Sequence, residues 1–103
     1  MTEVQSIRRG SAMNTSFSLP TDITGIAKVK AIFAQRERII TKECAYSEER
    51  GAYTAFLGQN DTLFFEAGDV IQIQLKILLS SGDVLVSDVM EAECTKGLSS
   101  EVI

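Results

Sequence analysis

An all-β fold, a single sandwich of about seven antiparallel strands, is predicted by three features of the sequence. Apolar and polar residues alternate with a period of two in several short runs, as in strands that bury one face. Turn-forming residues separate these runs at short, regular spacing, and no long stretch carries the periodicity of an amphipathic helix. The clearest case is Val70 to Cys94. In its first half Ile71, Ile73, Leu75, Ile77 and Leu79 share one side and Gln72, Gln74 and Lys76 the other. Ser80-Ser81-Gly82-Asp83 then supplies a hairpin turn.

Taken in order, Gln5 to Arg8 is a short first strand stopped by Gly10. Met13 to Leu19 puts Met13, Thr15, Phe17 and Leu19 on one side, and Pro20, which cannot donate to a ladder, ends it. Thr21 to Ile26 is a loop or short helical turn punctuated by Gly25. Lys28 to Gln35 sets Val29, Ala31 and Phe33 against Lys28 and Lys30, and Arg36-Glu37 turns into a strand from Arg38 to Tyr46. Ser47 to Gly51 is a polar hairpin loop before Ala52 to Leu57. Gly58 to Gly68 is the least strand-like stretch: Gln59, Asn60 and Asp61 are expected to start a helical turn carrying Thr62 to Glu66, with Leu63 and Phe64 or Phe65 plugging one end of the core. The last strand, Val84 to Cys94, alternates Met90, Ala92 and Cys94 with Glu91 and Glu93. Val84, Leu85 and Val86 in succession break the alternation, which predicts a bulge or burial on both sides. Residues 98–103 are a tail. The whole chain, 1–103, is one domain with a short N-terminal arm.

With 103 residues, a chain buries about 65% of the surface its unfolded form exposes, enough for a core without metal or disulfide. Ten basic against 14 acidic residues leave a net charge of −4. That balance argues against nucleic-acid binding, which draws its affinity from clustered Lys and Arg; Arg8-Arg9 is the one notable basic pair. No apolar run reaches the ~18 residues of a membrane helix. The first residues resemble no secretory signal, so synthesis in a reducing cytoplasm is expected. Cys44 and Cys94 fall at apolar strand positions. They could be read as an immunoglobulin bridge, but the chain has no Trp to pack on it, and buried free thiols are the better expectation.

Residues suited to catalysis are sparse. With no His, the commonest general base and the Ser-His and Cys-His pairs are missing, and two Cys fifty positions apart do not form a zinc site. No glycine-rich loop opens a helix. The carboxylates Glu48 and Glu49 share a hairpin tip, and Asp61, Glu66 and Asp69 surround one loop, without the ligand spacing of a calcium site. The chain is thus read as a non-enzyme without metal or cofactor. Phe17, Phe33, Phe56, Phe64 and Phe65 are expected mostly in the core. Tyr46 and Tyr53, flanking the Glu48-Glu49 loop, are expected to pair across it and are the candidate ligand-stacking site. Sheet edges, the first strand and the tail are the candidate partner-binding margins. The interface residues selected there are Arg8, Arg9, Leu98, Val102 and Ile103.

Several segments carry a family likeness. Arg9-Gly10 precedes the first long alternating strand, Gly58-Gln59-Asn60-Asp61-Thr62-Leu63 precedes the last hairpin, and Ile73-Gln74-Leu75-Lys76 follows. Then come Gly82, Ser87-Asp88 and a terminal Val102-Ile103. In these the chain resembles small one-domain proteins encoded among the structural genes of tailed phages and prophages of Firmicutes. Those are related in style to the immunoglobulin-like N-terminal modules of baseplate and tail proteins. Ser11 stands where that group carries an acidic residue, and Ser47 to Gly51 is more charged than in the group. The resemblance implies an immunoglobulin-like β-sandwich that is a virion component of the tail or baseplate. Its partners would be other virion proteins and copies of itself, with neither nucleic acid nor membrane. Capsid decoration is a close alternative, and a stand-alone cytosolic module binding a peptide or glycan is another.

Overall fold

The computed structural model describes residues 6–20 and 22–97. They form eight strands and one short helix: β1 (Ser6–Arg8), β2 (Met13–Phe17), β3 (Ile26–Gln35), β4 (Arg38–Ser47), β5 (Ala52–Leu57), α1 (Gln59–Phe64), β6 (Val70–Leu79), β7 (Val84–Val86) and β8 (Met90–Thr95). The fold is all-β. Hydrogen bonding runs without interruption through β1-β8-β6-β3-β4-β5-β2, with β7 also on β6, and the sheet curls until it is nearly closed into a barrel.

Where two sheets are expected, one continuous sheet forms because β4 serves both halves. Its residues from Arg38 to Cys44 pair with β3, and those from Ala45 to Ser47 pair with β5. A ten-residue strand is about 33 Å long, enough to leave one neighbour and join another. One pair also departs from the antiparallel expectation. β1 lies parallel to β8, with Ile7 opposite Cys94. These strands come from opposite ends of the described chain, so no tight turn dictates their direction. Docking there places Ile7 in the core with no exposed surface.

The alternation read from the sequence sets the core. Val29, Ala31 and Phe33 of β3, Ile71, Ile73, Leu75 and Ile77 of β6, and Ala92 and Cys94 of β8 are buried. Phe17 and Phe33 meet with ring centroids 6.5 Å apart. Full burial of a large apolar side chain contributes about 1.5–3 kcal/mol. β2 stops at Phe17, short of the expected Leu19, which packs on the core from the loop. Helix α1 begins at Gln59 as expected, where Asp61 Oδ2 accepts the Gly58 N–H at 2.8 Å and holds the first turn, but it stops at Phe64, short of Glu66. Phe65, just beyond it, plugs the core.

Other expectations are corrected. Phe56 and Phe64 are outside the core, 57% and 44% exposed. Cys44 is half-buried, whereas Cys94 is buried, and both are free thiols. The strand expected over Val84 to Cys94 is broken. β7 and β8 pair with the same edge of β6 in registers one residue apart, so Ser87, Asp88 and Val89 span the two positions Gln74 and Leu75. This is the expected bulge, placed just after the three apolar residues. Burial on both sides is not seen: Val84, Leu85 and Val86 are all exposed.

Candidate functional site

The sheet margins were the candidate site, and the structure describes three of them: β1 and β2 at the barrel seam, and β7. At the seam the β1–β2 link is latched to α1. Thr62, fully buried, accepts the Gly10 N–H at 3.0 Å and donates to the carbonyl of Ser11 or Gln59, each 3.1 Å away. A hydroxyl has one proton, so the two acceptors share it. Arg9 Nε donates to the Phe65 carbonyl at 2.9 Å and the Arg9 N–H to Thr95 O at 2.9 Å. Arg9 therefore ties the seam together, whereas Arg8 is exposed. Leu98, Val102 and Ile103 lie outside the described residues.

The third margin, β7, was not among the selected interface residues. Its backbone geometry follows from its flanks. Leu79 N–H donates to Asp83 O at 2.9 Å, and Ser87 N–H to Leu75 O at 3.0 Å. Asp83 and Ser87 thus turn their backbone groups toward β6. By the two-residue period Leu85 does the same, and Val84 and Val86 turn N–H and C=O to the open side. Val84 and Val86 stand opposite Leu78 and Lys76, on the outer face, and are 55% and 53% exposed. No charge or Pro stands on the strand, so what limits its pairing is its three-residue length and the bulge that follows it.

Ser87 stabilises this margin. Its Oγ accepts the Leu75 N–H at 2.9 Å, standing in for the carbonyl that the bulge displaces, and its own carbonyl accepts Gln74 Nε2 at 2.9 Å. The same outer face carries Lys28, Lys30 and Lys76. Lys30 lies directly opposite Lys76 and Glu43, and Glu43 pairs with Lys28 at 3.3 Å.

Of the other candidates, Glu48 and Glu49 are exposed at their hairpin tip, whereas Asp61, Asp69 and Glu66 are engaged in ion pairs. Asp61 pairs with Lys42 at 2.9 Å, Asp69 with Arg36 at 3.0 Å, and Glu66 with Arg38 at 3.4 Å. Gln35, missed as a key residue, is buried and clamps the loop before β6. Its amide nitrogen donates to Glu66 O at 2.8 Å and its oxygen accepts the Glu66 N–H at 2.7 Å. A depression of about 340 Å³ beside it is lined by Arg36, Asp69 and Val70. Among the described residues no group of three or more His, Cys, Asp and Glu could hold a metal. Tyr46 and Tyr53 face each other across β4 and β5 as expected, edge to face at 5.2 Å, with Tyr46 56% exposed. Burial pushes the Cys44 thiol up to about 11. Burial also raises Cys94, and the Arg9 charge offsets part of that. No protein-family model, curated protein or solved structure matches this chain.

Gln35 was detectable in the sequence, because it continues the odd-numbered phase of Val29, Ala31 and Phe33. The exposure of β7 was signalled only by the loss of alternation at Val84-Leu85-Val86, which fits double burial equally well.

Proposed function

We propose that this chain is a non-enzymatic structural component of a phage particle, built into the tail or baseplate in many copies through its sheet edges. The observation that carries the reading is the β7 margin, an uncharged apolar edge that pairs with β6 alone among the described strands and turns the backbone groups of Val84 and Val86 outward. An edge without charge or Pro can template a partner strand over its short length. Residence in the virion rests on the sequence resemblance. The immunoglobulin-like reading of the fold belongs to the same proposal, supported by β4, which passes from one half of the sheet to the other over a single core. Other virion proteins and copies of this chain are the partners. Capsid decoration uses the same edge and differs only in location.

Purified particles from an induced lysate provide the test. The chain is expected in them in many copies per particle, located by antibody labelling on the tail. Labelling on the head assigns it to decoration, and particles that lack it end the virion reading.

The Tyr46–Tyr53 pair, with Tyr46 exposed and Tyr53 half-buried, favours a second reading, a binding module for a peptide or glycan, because paired aromatic faces suit stacking. It predicts saturable binding to a peptide or glycan array that the double substitution Tyr46→Ala, Tyr53→Ala abolishes. Unchanged binding rules that site out.

A further inference from the structure

We infer that β7 pairs antiparallel with β7 of a second copy about a two-fold axis at Leu85. The inference rests on the assembly reading and names the partner of that edge. Antiparallel strands join only in registers that bring outward-facing residues opposite one another. With Leu85 opposite Leu85 of the partner, Val84 falls opposite Val86, and each such pair exchanges two N–H to C=O bonds. Both outward residues of both copies are then satisfied. Shifting the axis to Val84 brings Val86 opposite Gly82, whose N–H is already donated to Leu79 O at 2.9 Å. Shifting the axis the other way, to Val86, brings Val84 opposite Asp88 inside the bulge, whose carbonyl already accepts Ser87 Oγ at 2.9 Å; the register centred on Leu85 instead pairs the outward groups of β7 with one another.

The electrostatics agree. β7 bears no charge, Asp83 falls opposite Ser87, and Gly82 opposite Asp88, so no like charges meet. The two Lys76 side chains, each beside a Val86, stand about 16 Å apart by strand spacing, beyond the ~8 Å Debye length. The outer faces of the two copies merge Leu78, Val84 and Val86 into one apolar strip between basic rows. The bulge at residues 87–89 ends the ladder, so the contact is short. It belongs among transient interfaces burying less than about 1,200 Å², and becomes durable when many copies are tethered in one assembly.

The test is register-specific. Paired Leu85 positions would have Cα atoms about 4.5 Å apart, within the range of a disulfide, whereas Val84 faces Val86 and never itself. Under glutathione oxidation Leu85→Cys is expected to form a homodimer at least about tenfold faster than Val84→Cys, with the unsubstituted protein as background; equal rates, or no cross-link, overturn the pairing. Sedimentation of the unsubstituted protein should show the 11.3 kDa chain passing to twice that mass with concentration. Val86→Lys, at an exposed position, should fold and weaken the dimer by at least about tenfold. A dimer unaffected by Val86→Lys, or a monomer at every concentration that accepts only a strand of another protein, overturns the inference. Dimers of a chain missing from particles would end the virion reading and leave the inference standing, while particles containing a non-dimerising chain would do the reverse.

Discussion

Ser87 holds together a break that hydrophobic patterning alone would leave open. Its hydroxyl accepts the Leu75 N–H, in mid-strand beside a fully buried side chain. Ser87→Ala strips that donor of its partner and should cost about 1–3 kcal/mol in urea unfolding. A smaller loss would mean that water replaces the hydroxyl. Cys44 has a different signature. Its folded-state thiol is raised from 9.0 to about 11, so the unfolded chain ionises first. Stability from this group is complete below pH 9 and is lost as pH rises toward 11. Unfolding midpoints should fall over that window, and Cys44→Ala should fall less. Identical pH profiles for the two proteins would contradict the burial seen at Cys44.

Among elements, α1 matters more than its six residues suggest. It joins no strand pair, yet Thr62 carries both bonds that latch the β1–β2 link across the seam. Thr62→Val keeps the shape and removes the bonds, so the fold should survive with a loss of about 1–3 kcal/mol. Amide exchange at Gly10 should rise well above the change in global stability, and Thr62→Ser should restore protection. Uniform loss across all strands would instead show that the latch is inseparable from global folding. The strands were legible because period-two patterning is local: β5 and β6 begin and end where their residues predict, and Gln35 completes the β3 pattern. The β7 margin was not, because three consecutive apolar residues specify no facing, and their exposure depends on where β8 ends and on the bulge between them.

Across the whole molecule one core links every strand from β1 to β2, so damage at its centre should spread. Leu75 is fully buried between β3 and the bulge. Leu75→Asp puts a carboxylate there without a partner and should cost several kcal/mol, abolishing the folded state. Gln74→Asp, on the opposite face, gives up one bond to Ser87 O and should be far milder. Both are read by circular dichroism melts, and equal melting of the two variants would show the facing of β6 to be wrong.

By itself the sequence determined which side chains leave water. Alternation in β2, β3, β6 and β8 specifies facing through the fixed geometry of an extended backbone, whichever strand lies alongside. Tertiary structure decided the neighbours: that β1 runs parallel to β8, that β4 bridges two partners, and that Val84-Leu85-Val86 ends at an open edge. Pairing and register are set by groups distant along the chain competing for the same backbone bonds, and a local pattern carries no record of that competition.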